Sequence, residues 1–366
     1  MALELLPLDE ETLPQAVRRV ASPSSPRELR EMAARGRAPL SPSDQLMALY
    51  QLSSPSVAEA DDIARAARAT SAALPDPVLA GALGGEMDPR VLDWFARQVV
   101  TRAPLLQLLL GNRAVADETF AFLASTVGER ELLLIARNEQ RLLRHPPIIA
   151  ALYLNPKTPM SIAARAVELA VRNQVVVDGI PGFEDVRAAI AEDEQALAGA
   201  EDAAFRDAYA VDGTLPEVAA AGDEAAVPVE EEVKSVPISK MSTLAKIRLA
   251  TVGNAFQRAV LVRDPSRLVQ MAAVRAPGVN DNEAVRHSAN RGLSEDVIRY
   301  IASQRQFLRL YAVKLNLVNN PKCPLQASMG FLPHLTARDL RAVARSKQVP
   351  SALTRAAQML VQKRDR

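Results

Sequence analysis

Arg338, Arg341 and Arg345 stand three and four residues apart in "HLTARDLRAVARSK". At 3.6 residues per turn, that spacing sets three guanidinium groups on one face of a helix. Arg305 and Arg309 show the same helical spacing, and Arg263 and Arg267 repeat it across an Asp-Pro pair. A guanidinium fork suits bidentate contact with a carboxylate or phosphate. The chemistry on offer is therefore recognition of an anion, and Arg305, Arg309, Arg338, Arg341 and Arg345 are the candidate partner-binding residues. The plainer reading of any one stripe is the solvated face of an amphipathic helix.

The other reactive side chains are sparse. His145, His287 and His334 are scattered, and no pair has the spacing of a metal site. Cys323 is the one cysteine, so neither an internal disulfide nor a cysteine-based zinc site can form. With no base near it in sequence, it reads as a small buried thiol. "LLGNR" and "TVGNA" lack the glycines and the Lys-Ser/Thr of a phosphate loop. Their Gly-Asn pairs are expected to end helices in the left-handed region. Trp94 lies in an apolar helix and is expected in the core. The acidic clusters of residues 191–233 lack the order of a calcium loop. No catalytic, cofactor-binding or metal-ligating residue is assigned, and no cofactor.

Charge separates the chain into three parts. Residues 1–187 carry 20 Lys/Arg against 23 Asp/Glu, residues 188–233 one against 13, and residues 234–366 23 against 7. The nets of −3, −12 and +16 sum to the overall +1. Such a split speaks of partners rather than of fold. The expected partner is an acidic protein, with nucleic acid as the alternative, and the acidic middle is expected to fold back on the basic end. No run approaches the apolar length of a membrane span, and the first residues carry no basic leader, so a soluble cytoplasmic protein is expected.

Short helices must position these residues. Apolar residues make up 48% but aromatics only 4%, so the core must be built from Leu, Val, Ile and Ala. Twenty-five prolines among such runs suggest many short helices with sharp ends. "DPRVLDWFARQVV" opens with Asp88 as N-cap and Pro89 in the first turn. "SEDVIRYIASQ" offers Ser294 as cap, with Val297, Ile298 and Ile301 inward. "ADETFAFLASTV" puts Phe120, Leu123 and Val127 on one face. "QVVVD" is the one tempting strand.

Text recurs along the chain. Pro104 and Asn112 return as Pro147 and Asn155, 43 residues on, and Pro277 aligns with Pro321 at 44. "NPKTP" at Asn155 and "NPKCP" at Asn320 each follow one apolar run and precede another. Proline there ends one helix and opens the next, with Lys157 and Lys322 pointing to solvent. Half-units of about 22 residues fit this spacing, and pairs that short bury their apolar stripe only by stacking.

"NPKTPMSIAARAVELA", "NPKCPLQASMGFLPHL" and the block from Ile238 to Leu360 resemble the leucine-rich-repeat-variant and HEAT-like helical repeats of bacteria. The resemblance implies a curved stack of helices and supplies no catalytic residues. The fold expected is all-α, an α-solenoid of short paired helices in two modules, 1–190 and 240–366, joined by an acidic, partly disordered linker over 191–239. The expected role is that of a non-catalytic scaffold or adaptor, with a nucleic-acid-binding regulatory solenoid as the alternative. HEAT-like DNA glycosylases keep an enzyme in view. Phe256, Tyr300, Phe307, Tyr311 and Phe331 fall mostly at apolar helix positions, however, rather than in a groove.

Overall fold

A computed structural model of the chain describes residues 6–53, 61–191, 201–211, 238 and 241–364. Among these residues there are 23 α-helices and no strand. The segment "QVVVD" is a helix end instead. Gln174 takes φ 57°, and the Val175 N–H returns to the Ala170 carbonyl at 2.9 Å, which closes the preceding helix with a left-handed cap.

The chain divides into two compact units. The first comprises Met1–Thr158 and Leu169–Gly179. It holds α1 (Gln15–Ala21), α2 (Arg27–Ala34), α3 (Pro42–Ser53), α4 (Asp61–Ala72), α5 (Asp76–Leu83), α6 (Pro89–Gln98), α7 (Ala103–Gly111), α8 (Asp117–Thr126), α9 (Glu129–Ala136), α10 (Glu139–Arg144) and α11 (Pro147–Leu154). Helices pack on the element two places on: α3 on α1 and α5, α7 on α5 and α9, α4 on α2, and α8 on α6. The short α9 and α10 intervene before α11, which packs on α8. Of the two caps expected, Asp88 forms and Ser294 does not: the Ser294 hydroxyl is buried and makes no cap hydrogen bond. The Asp88 side chain accepts from the Arg90 N–H, with Pro89 beginning α6. Phe120, Leu123 and Val127 are buried together, and half-buried Trp94 meets Tyr50 and Phe95 edge-on at 5.8 and 4.8 Å. Asp93, deeply buried, ties α6 to α8. It accepts from Thr119 Oγ at 2.7 Å and from Arg97 at 3.1 Å, while Arg97 lies over the Phe122 ring.

The second unit comprises Pro159–Glu168 and Ile180–Arg366. The boundary thus passes within α12 (Met160–Arg172). The remaining helices are α13 (Phe183–Ala191), α14 (Asp202–Ala210), α15 (Thr243–Val252), α16 (Ala255–Leu261), α17 (Arg267–Arg275), α18 (Asp281–Ala289), α19 (Glu295–Ser303), α20 (Tyr311–Asn319), α21 (Leu325–Phe331), α22 (Ala337–Arg345) and α23 (Ser351–Arg364). Some of the packing again skips one element, with α17 on α15 and α19 and α20 on α18, whereas α22 packs on its neighbour α23 and α16 on α15 and α17. The stretch expected as a linker, 191–239, is described only at 191, 201–211 and 238. There it includes α14, whose Phe205 and Ala208 are buried. The rest of the acidic stretch, and with it the expected contact on the basic end, lies outside the described residues.

The Asn-Pro corners do more than stop a helix. The Asn155 amide donates to the carbonyls of Ala124 and Val127 at 2.8 and 3.3 Å, at the end of α8. The Asn320 amide donates to Ser288 and Asn290 at 3.0 and 3.3 Å, at the end of α18. Asn112, which no proline follows, does the same to Leu83 and Gly85 at the end of α5. In each case the other amide oxygen accepts the N–H two residues on, that of Lys157, Lys322 or Ala114, and so closes a turn. Orphan carbonyls at one helix end are thereby met by the corner of the helix packed on it. These bonds reach back 27 to 32 residues, which measures the step between packed neighbours. The textual offset of 43 instead relates α7, which lies on α5, to α11, which lies on α8. Half-units of 22 residues are therefore not the packing step.

Two local readings change. Lys322 does not point to solvent: its ammonium donates to the Leu293 and Gly292 carbonyls at 2.5 and 3.3 Å. Neither Gly-Asn pair is left-handed, because Gly253 has φ −74° and Gly111 is the last helical residue of α7. Asn254 instead opens α16 as a capping box with Gln257. Gly253 is required by crowding, since an added Cβ would lie 2.2 Å from Gln257 Oε1 and 2.4 Å from the Leu249 carbonyl.

Candidate partner-binding surface

Arg338, Arg341 and Arg345 lie on α22, and all three are exposed. This helix forms because Thr336 caps it, accepting the Asp339 N–H at 3.2 Å. Leu340 and Val343 then face a cluster with Val318, Leu332, Leu335, Leu353 and Ala357. At 100° per residue the three arginines fall within about 60° of one another, opposite that apolar pair.

Arg305 and Arg309 are also exposed but share no helix face. Helix α19 stops at Ser303, and Phe307–Arg309 form a single 3-10 turn before α20. Four-residue spacing matched a helix, yet Phe307 turns inward and the chain reverses there. What the structure brings together is the start of α20 and the start of α22. The Tyr311 hydroxyl accepts the Thr336 N–H at 3.0 Å and donates to the Asp339 carboxylate. The Arg309 turn is thus joined to the helix carrying Arg338 through the Tyr311 phenol, which the sequence reads only as one of the aromatics of apolar helices.

The electrostatics sharpen at this end. In the earlier part of the unit five cations are paired with carboxylates: Lys246 with Asp264, Arg258 with Glu283, Arg267 with Asp296, Arg275 with Asp185, and Arg299 with Glu295. Residues 300–364 carry 11 Lys/Arg and a single carboxylate, Asp339. That carboxylate already serves Tyr311 and Thr336. Most of the basic excess of the chain's last third therefore sits in the stretch that presents the arginine stripe. Tyr311 and Leu325 are exposed there, and Met329 and Met359 add apolar surface.

The Arg258–Glu283 pair is structural. It is buried, bidentate at 2.7 and 2.9 Å, and completed by the Gly278 carbonyl and the Asn280 N–H. His287, also buried, lies in the field of Glu283, Arg286, Arg258 and Arg263, and burial above all pushes its pKa down to about 4. It is therefore neutral at pH 7. Burial raises the pKa of the Cys323 thiol, with a Ser328 hydrogen bond opposing. Among the described residues no group of His, Cys, Asp and Glu is placed to hold a metal ion. No helix among them is long and apolar enough to cross a membrane.

No family model, curated protein or solved structure matches the chain.

Proposed function

We propose that the chain is a non-catalytic scaffold or adaptor, a cytoplasmic α-solenoid of HEAT-like repeats that binds an acidic protein partner through its basic end. The observation that carries the reading is the run of 11 cations against one engaged carboxylate over residues 300–364. Alternate-row packing and the recurring asparagine corner support the solenoid architecture. Arg305, Arg309, Arg338, Arg341 and Arg345 form the electrostatic part of the surface, and the exposed apolar side chains near them supply area.

Nucleic acid is the second reading, favoured by the three-arginine stripe, which suits a phosphate backbone. The aromatics argue for protein instead. Phe307 is buried and offers no stacking platform for bases, and Tyr311, though exposed, is a single ring held at its hydroxyl by Asp339.

The test is a pull-down with the full chain and with R338E/R341E/R345E, each with and without nuclease. A protein retained by the parent after nuclease and lost by the variant supports the adaptor. Recovery of nucleic acid with a steep salt dependence supports the second reading. Equal retention by both chains removes the arginine stripe from either.

A further inference from the structure

We propose that α14 is the in-cis occupant of a peptide-binding groove, whose outside ligand is a short helix with an acidic pair at its start and an aromatic residue three positions after the pair. The groove goes beyond the basic end described above and uses none of its arginines.

Each feature of α14 that the groove reads is separate and chemically specific. Asp202 receives the N–H and the hydroxyl of Ser161, at 2.7 and 2.8 Å, in the first turn of α12. Its neighbour Glu201 receives the N–H and the hydroxyl of Ser242, both at 2.6 Å, at the start of α15. Two helix starts, each with unpaired N–H groups and a positive partial charge, thus meet two consecutive carboxylates. Phe205 fills the slot beyond them with the Arg248 guanidinium 4.5 Å from its ring centre. At the far end, Gln257 donates its amide to the carbonyls of Ala208, Tyr209 and Val211 at 2.8, 3.0 and 3.1 Å. Asn254 adds a bond to the Val211 carbonyl at 3.1 Å.

The receiving side holds its shape through bonds of its own. The Ser242 hydroxyl caps α15 by accepting the Ala245 N–H. Gln257 Oε1 accepts the Asn254 N–H at 2.8 Å, and the Gln257 N–H goes to Asn254 Oδ1 at 2.9 Å. By contrast α14 buries only Phe205 and Ala208, three residues apart, and exposes Ala203, Arg206, Asp207, Tyr209 and Ala210. One anchor pair with acceptor-bearing ends is how an amphipathic helix sits in a groove built for a peptide. In sequence α14 stands apart from the helices it meets, with 192–200 before it and 212–237 after it.

The experiment uses the full chain carrying Phe205→Ala and a fluorescent peptide, EDAAFRDAYAV, read by anisotropy. The folded variant is expected to bind the peptide at least tenfold more tightly than the parent chain. A peptide with Gln and Asn for the acidic pair is expected to lose at least tenfold. Adding R338E/R341E/R345E is expected to leave binding unchanged, which separates this groove from the basic end. A folded Phe205→Ala chain that binds no better than the parent overturns the proposal, as does equal binding of the Gln/Asn peptide. Should the variant fail to fold, hydrogen exchange of the parent decides. Amides of α14 are expected to exchange at least a hundredfold faster than those of α15, and equal protection overturns the proposal.

Discussion

Replacing Asn155 by alanine removes a side chain that is 4% exposed and bonds two carbonyls and one N–H at its corner. The carbonyls of Ala124 and Val127 and the N–H of Lys157 lose their partner together. At about 1 kcal/mol net per bond, with about 1–3 kcal/mol for each buried group left unmet, the loss comes to roughly 3–4 kcal/mol after allowing for relaxation. Asn320, equally buried and similarly bonded, is expected to cost about the same. Asn112 is half-buried, so water replaces part of what is lost, and about 1–2 kcal/mol is expected. Asn155→Asp keeps the acceptor for Lys157 but sets a carboxylate against two carbonyl oxygens, so at pH 7 it should destabilise at least as much as alanine. Guanidinium unfolding followed by circular dichroism reads these differences as midpoint shifts at constant slope. A value for Asn155→Ala within about 0.5 kcal/mol of the parent, or an Asn112 change costlier than the Asn155 one, would refute the bridging role.

Two further outcomes are expected. Gly253→Ala forces Gln257 and the end of α15 to shift and should cost about 1–3 kcal/mol, seen as a lowered melting temperature; an unchanged melting temperature would contradict the crowding. Burial holds the pKa of His287 at about 4, against an ordinary value of 6.5 in the unfolded chain. The unfolded chain thus binds the extra proton between these values. The stability is whole above pH 6.5 and drains as pH falls to 4, by about 3 kcal/mol. The stability difference between the parent and His287→Leu should change by that amount across the window, and a flat difference would contradict it.

Local signals were legible where neighbours in sequence decide the outcome. Asp88 and Pro89 open α6, and the arginines of α22 share a face because Leu340 and Val343 on the other side have a core to enter. Signals set by distant residues were not. Asn155 and Asn320 read as corners, but the carbonyls they cap lie about one packing step back. Arg305 and Arg309 have helical spacing, yet Phe307 turns inward and ends the periodicity. The Ala- and acid-rich text around residue 205 allows a helix to about Ala210, but nothing in it signals that the helix docks. One phenylalanine and two capped carboxylates suffice to dock a helix there. Recurring text at 43 residues tracked the corner chemistry rather than the packing row, because helices in either row end the same way.

The asparagine corners all run in one direction along the chain. Each amide belongs to the later helix, and each carbonyl it satisfies belongs to the earlier one. The ends of α5, α8 and α18 are therefore finished only by what is synthesised after them. Removing α7, α11 or α20 leaves the carbonyls at the end of α5, α8 or α18 to water. Removing α5, α8 or α18 instead merely frees an amide, which water satisfies. An emerging chain thus completes each of these three corners only when the later helix has arrived.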